Sequence, residues 1–254
     1  MDLARRVTVT LAEIFCVVGT LVGTGVIGTR VAESSGGALA ADATLLAPAG
    51  PAFSIWSVIY LGLAAYTVWQ WLPAKATDER ARATGWLAAA SMVLNAAWLL
   101  VTQAGWIWVS VLVILALLTT LVLLVARLAR RPARSLGDRI VLDGTFGLYL
   151  GWVGVATCAN VAAALAVDIT VDRAVAEAGA VLAVLLVLAG GAWLARSYGG
   201  RWPVALASAW GLAWIAVGRL GDSPESVVTA VAAITGAIAM IALVARFRSP
   251  TLPA

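Results

Sequence analysis

The stretch WIWVSVLVILALLTTLVLLVARL, residues 106–128, decides the fold, because it is overwhelmingly apolar and carries only one charge, Arg127 near its end. A helix rises 1.5 Å per residue, so about 20 residues cross the roughly 30 Å hydrocarbon core of a bilayer. Inside that core every backbone polar group must be satisfied by the protein, which leaves only helices and closed barrels. The apolar run is continuous rather than alternating, so it predicts a transmembrane helix.

The composition of the whole chain extends this prediction. Of 254 residues, 62% are hydrophobic and 12% are charged, and the mean hydropathy is +0.97, which is typical of a membrane protein. We predict an all-α polytopic membrane helix bundle with eight transmembrane helices. Their expected bounds are residues 7–28, 53–72, 85–103, 106–128, 140–167, 174–195, 203–219 and 226–245.

The distribution of basic residues predicts the orientation. With the amino terminus inside, fourteen of the seventeen Lys and Arg residues, Arg248 included, fall in cytoplasmic segments, and only Arg30, Arg173 and Arg219 fall in outer ones. The positive-inside rule therefore predicts a multi-pass protein of the inner (cytoplasmic) membrane with both termini in the cytoplasm. Because topology explains the net charge of +4, we expect the lipid bilayer as a partner and no nucleic acid.

Several kinds of chemistry are excluded by residue type. The chain has no histidine, and its single lysine is Lys75 in a connection between helices. A histidine-ligated haem, a Ser/His/Asp arrangement and a membrane-embedded Schiff base are therefore excluded. Cys16 and Cys158 fall in apolar runs without the spacing of a metal site. We expect no catalytic residue, no bound metal and no cofactor, and ordinary acid–base or metal hydrolysis is disfavoured.

One connection is much longer than a minimal turn. Residues 29–52, called the long loop below, carry Pro48, Gly50 and Pro51 directly before the second helix. On the predicted topology this loop is external. It is interpreted either as a lid over a site or as a floppy external loop.

Polar and aromatic residues form stripes at helical spacing on three helices. These stripes climb toward the outer surface and meet beneath the long loop. They consist of Trp56 and Tyr60 on the second helix, of Ser91, Asn95, Trp98 and Thr102 on the third, and of Tyr149, Trp152, Ala156 and Asn160 on the fifth. Either the stripes line a pocket for a flat apolar ligand, or they join helices through hydrogen bonds and packing. The residues alone leave both readings open.

The first helix adds two isolated signals. Glu13 lies about two turns inside it, where a carboxylate is a functional candidate unless it is protonated or paired with a neighbouring helix. Gly19 and Gly23 form a GxxxG pattern, which is a helix-contact signal compatible with a homodimer.

Three segments carry a resemblance to a known family. LYLGWVGVATCAN, residues 148–160, resembles the fifth-helix pattern of the translocator protein family, also called tryptophan-rich sensory proteins (TspO/MBR). LNAAW, residues 94–98, is similar to the third-helix motif of that family, and PAGPAFSIWSVIY, residues 48–60, to its entry into the second helix. The resemblance covers about residues 7 to 167, and longer bacterial relatives with extra helices are known.

The resemblance implies a division and a function. It implies a five-helix domain over residues 1–167, followed by a three-helix extension over residues 168–254. It also implies a cavity for a porphyrin (tetrapyrrole) or sterol-like ligand, with a sensory, regulatory or transport role. The expected ligand-binding residues are Trp56, Tyr60, Asn95, Trp98, Tyr149, Trp152, Ala156 and Asn160, with Pro48, Gly50 and Pro51 in the lid. The alternatives are a small-molecule transporter and a photochemical enzyme that degrades porphyrin.

Overall fold

The computed structural model describes residues 1–247, and this part of the chain contains eight helices long and apolar enough to cross a membrane. The prediction of an all-α polytopic bundle is confirmed. The helices are α1 (Asp2–Gly23), α2 (Ile55–Trp69), α3 (Glu79–Gln103), α4 (Ile107–Ala129), α5 (Leu136–Asp168), α6 (Arg173–Tyr198), α7 (Trp202–Gly221) and α8 (Val227–Arg246). Arg248, which entered the charge distribution, lies outside the described residues, as does the rest of the predicted extension after residue 247.

The first helix is displaced from its predicted bounds. It begins at Asp2 and ends at Gly23, whereas the apolar run predicts residues 7–28. Arg5 explains the earlier start, because its guanidinium is buried and its two terminal nitrogens are hydrogen-bonded, so that it is not placed in a flanking segment. It donates to the Gln70 side-chain oxygen at 3.3 Å and to the Ala76 carbonyl at 3.1 Å. Hydropathy alone treats such an arginine as a helix boundary.

Five helices form a closed ring in the order α1, α2, α5, α4, α3. The contact between α1 and α3 is close because Gly19 and Gly23 have no side chains there. A Cβ at Gly19 would lie 2.9 Å from the Ala96 Cβ, and one at Gly23 would overlap the Leu99 side chain. The GxxxG pattern is therefore accounted for by a contact within one chain, and the homodimer stays a prediction.

The remaining three helices pack outside the ring. Helix α7 lies against α5, α8 lies against α7, and α6 lies against α8. Gly151 on α5 allows the close approach of α7, because a Cβ there would overlap the Val204 carbonyl oxygen and lie 2.9 Å from the Ala207 Cβ. The extension is thus joined to the ring mainly through one helix of that ring, α5.

The two ends of the bundle differ in character. The end that bears the long loop is called the loop end; it also holds the carboxyl ends of α1, α3, α5 and α7. At the opposite end, Asp143 accepts hydrogen bonds from Arg80 of α3 at 2.8 Å and from Arg201, next to α7, at 3.0 Å. A π-helical turn at the start of α5, Arg139–Gly144, carries Asp143 between these two arginines. The ion pairs fasten ring and extension together, away from the loop end.

Candidate functional site

The long loop between α1 and α2 folds down onto the loop end of the bundle. Its apolar segment, residues 46–49, is buried, and the next residues form a 3-10 turn, Gly50–Ser54, that leads into α2. Gly36 and Gly37 have φ values of 65° and 82°, which other residues rarely adopt, and they turn the chain back over the bundle. The loop therefore covers the ends of the helices instead of extending from them.

A small cavity of about 60 Å³ lies directly beneath this loop. Its walls come from the loop, from α3 and from α5, and none of the lining residues carries a charge. The lining consists of Val31, Ala38, Leu39, Ala40, Thr44, Ala47, Pro48, Phe53, Trp98, Trp152, Val155, Ala156, Ala159, Asn160 and Ala163.

Half of the eight predicted ligand residues line this cavity. They are Trp98, Trp152, Ala156 and Asn160. Of the three predicted lid residues only Pro48 lines it; Gly50 and Pro51 lie in the 3-10 turn and are exposed. The turn positions Phe53 instead, whose ring meets that of Trp152 edge to face at 5.7 Å between centroids.

The other four predicted residues form an adjoining layer on the side away from the loop. Trp56 stacks on Tyr60 at 5.1 Å between ring centroids and contacts Tyr149 edge to face at 5.7 Å. Asn95 donates to the Tyr60 hydroxyl at 3.1 Å, and Tyr149 donates to a backbone carbonyl of α3 at 3.2 Å. Trp56 also meets Trp152, at 6.3 Å. The eight residues are therefore contiguous, but this layer supports the cavity wall rather than lining it.

Asn160 belongs to a polar chain that joins three helices. It accepts a hydrogen bond from Trp98 Nε1 at 2.8 Å and donates to the Ser110 hydroxyl of α4 at 2.9 Å. Both Asn160 and Ser110 are at most 1% exposed, so each polar group needs these partners. The helix-joining reading is correct for Asn160, although its side chain also borders the cavity.

Trp152 differs from Trp98 in its hydrogen bonding. It is 2% exposed, and its Nε1 donor has no partner among the described residues. A buried tryptophan usually finds an acceptor for this group, because an unsatisfied buried donor costs free energy. Trp152 thus contributes to the cavity wall a side chain whose indole donor has no acceptor among the described residues.

The polar and aromatic stripes that the sequence predicts do not include several residues of this site. Ser110 is an isolated polar residue near the start of the most apolar run of the chain, and only its spatial relation to Asn160 gives it a role. The small residues Ala159 and Ala163 lie one and two turns along the same face of α5 as Ala156, which is a signal that helical spacing offers. Phe53 and Thr44 come from the loop, whose course no periodicity predicts.

Glu13 does not line the cavity. It is 7% exposed, and its Oε2 has no hydrogen-bond partner among residues 1–247. In that part of the chain no group of three His, Cys, Asp or Glu residues is placed to hold a metal ion. The chemistry that the cavity offers is therefore aromatic contact, apolar burial and a few neutral polar groups.

One comparison with known proteins carries information on the family. Residues 8–245 match the family model described as TSPO-like protein, so the match runs through all eight helices and not only through the five-helix ring. No curated protein and no solved structure matches the chain. The resemblance to this family is thereby confirmed, whereas the division at residue 167 stays a prediction. The chain belongs to the family of TSPO-like proteins.

Proposed function

We propose that the protein binds a hydrophobic ligand, a porphyrin or a sterol-like molecule, in the cavity beneath the long loop, and that it acts in sensing, regulation or transport of that ligand. The observation that carries the proposal is the wall of the cavity. It combines two tryptophan rings and small apolar side chains with the unsatisfied Nε1 of Trp152, and it contains no charge. Sites for flat apolar ligands are built in this way, with few polar groups that fix orientation.

The size of the cavity implies that binding requires movement. Pockets for drug-sized ligands hold about 300–1,000 Å³, whereas the space here is about 60 Å³. A macrocycle enters only if part of the wall is displaced, and the long loop is the part of the wall that does not belong to a membrane-crossing helix. The loop therefore acts as the lid that the sequence suggests, and this conformation is its closed state.

The orientation belongs to the same proposal. Placed in the inner membrane with both termini in the cytoplasm, the protein has its arginine-rich end inside and its loop end outside, as the positive-inside rule requires. Two of the outer arginines have structural roles there. Arg219 binds backbone carbonyls of the long loop, and Arg173 pairs with Glu177 at 3.1 Å. The cavity then opens toward the outer half of the bilayer.

A titration of the purified chain tests the proposal. Protoporphyrin IX should quench tryptophan fluorescence with saturation, a sterol should compete, and a polar solute of similar size should not. Ala156→Phe fills the cavity and should weaken porphyrin binding about tenfold or more, the factor that corresponds to 1.4 kcal/mol. Ala166→Phe on the exposed face of α5 serves as its control. Equal affinity in both variants would place the ligand elsewhere.

The light-driven breakdown of a bound porphyrin is a second candidate. Trp56 lies 6.3 Å from Trp152 between ring centroids, and Trp152 borders the cavity. A porphyrin there would lie close to two indole rings that can exchange electrons with it. Illumination of the complex should bleach the porphyrin absorbance in the parent protein and not in Trp152→Phe, whose affinity should be nearly normal.

A further inference from the structure

Arg219 of α7 is buried at the loop end and binds backbone instead of an acidic side chain. It is 1% exposed. Its Nη1 donates to the Thr44 carbonyl at 2.9 Å and to the Pro224 carbonyl at 3.0 Å, and its Nη2 donates to the Ala41 carbonyl at 2.8 Å. A guanidinium offers several donors in one rigid plane, so it can hold separate carbonyls in a fixed relation.

Two more hydrogen bonds join the same stretch of the long loop to α7. The Ala49 amide donates to the Trp214 carbonyl at 3.1 Å, and Trp210 Nε1 donates to the Ala52 carbonyl at 2.9 Å. Four hydrogen bonds therefore tie residues 41–52 to a helix that lies outside the five-helix ring. The last of these gives Trp210 a hydrogen-bond partner in the long loop, a role that packing within the five-helix ring does not explain.

The tied segment forms part of the outer wall of the cavity, and Val31 with residues 38–40 forms the rest of the wall that the loop supplies. Thr44 is itself held by α7, and Ala47 and Pro48 lie between the points where α7 holds the loop. The preceding part of the loop is linked to α3 instead, by hydrogen bonds from the Ser35 hydroxyl to the Thr102 carbonyl and from the Gln103 side-chain amide to the Thr29 carbonyl. Helix α7 thus sets where residues 44–48 lie over Trp152.

We propose that Arg219 is a positioning residue of the ligand site: from the three-helix extension, it anchors residues 41–52, which form part of the outer wall of the cavity beneath the long loop. This gives the extension a part in ligand binding. The inference that Arg219 anchors the loop depends only on the contacts of Arg219. The inference that this anchoring affects ligand affinity rests on the proposed function. Because the acceptors are backbone carbonyls, the anchoring depends on the arginine and not on the side chains of the loop.

Hydrogen exchange of the ligand-free full chain in lipid nanodiscs tests the anchoring. In Arg219→Met, amides of residues 41–52 should exchange about tenfold faster or more than in the parent, because hydrogen bonds to charged groups are the stronger class and local opening sets the exchange rate. Trp210→Phe keeps an aromatic side chain and removes one hydrogen bond, so it should give a smaller increase in the exchange rate near Ala52. This milder variant keeps the test decisive if Arg219→Met does not fold.

Arg173→Met is the matched control. Arg173 is also an arginine of the extension at the loop end, but it pairs with Glu177 and the Glu225 carbonyl and does not touch the long loop. Exchange in residues 41–52 should stay at the parent rate. Protoporphyrin IX should bind Arg219→Met about tenfold more weakly than Arg173→Met, which corresponds to 1.4 kcal/mol.

Unchanged exchange in both Arg219→Met and Trp210→Phe would overturn the anchoring. Faster exchange with unchanged porphyrin affinity would show that the anchored segment does not position the site. If the parent protein itself fails to bind porphyrin, the proposed function fails together with the affinity part of this inference, while the exchange rates still decide the anchoring.

Discussion

At the scale of single residues, the site combines polar groups that have hydrogen-bond partners with one donor that has none among the described residues. Asn160 joins Trp98 to Ser110, and this chain of hydrogen bonds crosses from α3 through α5 to α4. Trp152 Nε1, on the same wall, has no partner among the described residues. The first group holds the helices in place. Helical spacing indicates the faces of these residues, but it cannot distinguish their hydrogen bonding.

Asn160→Leu should destabilise the protein by about 1–3 kcal/mol, because it leaves Trp98 Nε1 without its acceptor, while the Ser110 hydroxyl keeps its hydrogen bond to the Ile107 carbonyl at 2.6 Å. Thermal unfolding in detergent measures the change. Asn160→Leu with Trp98→Phe should recover part of the loss, since the second substitution removes the orphaned donor. A double variant that is less stable than Asn160→Leu would contradict the role of this chain of hydrogen bonds.

Glu13 offers a second test at this scale. A buried carboxyl oxygen without a hydrogen bond is costly in an apolar environment, and nothing in its described surroundings offsets that cost. Glu13→Leu should therefore raise the unfolding temperature. A fall in that temperature would mean that Glu13 has a stabilising partner, which hydropathy and these contacts both miss.

At the scale of elements, the close contacts between helices depend on particular glycines. Gly151 and Gly154 lie on the same helix, α5, yet only Gly151 faces α7, whereas a Cβ at Gly154 would meet no atom within 4 Å. The sequence predicts the existence and approximate bounds of all eight helices, because long apolar runs determine them. It does not predict which glycine meets which neighbour, because that depends on the order of helices around the ring.

Gly151→Ala should destabilise the protein by about 1–3 kcal/mol, the usual cost of overpacking, by pushing α7 away from α5. Gly154→Ala, three residues along α5, should be neutral or stabilising by up to about 1 kcal/mol, because alanine is the better helix former. The unfolding temperatures of the two variants make a direct comparison. Equal destabilisation would show that α5 and α7 do not pack as described.

At the scale of the whole molecule, eight alternating helices put the long loop and the arginine-rich segments at opposite ends. The sequence predicts this separation from charge, and the helical stripes indicate four of the fifteen residues that line the cavity. It misses the loop residues of the wall and the link between α7 and the loop, because both depend on contacts between segments far apart in the chain. From the sequence alone, Arg219 is only one of the three basic residues that fall in outer segments.

The proposed orientation, with both termini in the cytoplasm, predicts how two engineered cysteines react. In a background with Cys16 and Cys158 replaced by alanine, Ala43→Cys in the long loop should be labelled by a membrane-impermeant thiol reagent in intact cells. Leu136→Cys, exposed at the opposite end, should be labelled only after the membrane is opened. The reverse pattern would contradict the cytoplasmic placement of the termini.

The most direct test of the central claim, that a flat hydrophobic ligand binds beneath the long loop, is the affinity of protoporphyrin IX for variants of Trp152. The Trp152 ring should contribute apolar contact and about 0.5–1.5 kcal/mol of stacking, so Trp152→Ala should bind about tenfold more weakly. Trp86→Ala removes a half-exposed tryptophan of α3 far from the cavity and should bind like the parent. If Trp152→Ala and Trp86→Ala both bind protoporphyrin IX with the affinity of the parent, the ligand does not lie in this cavity.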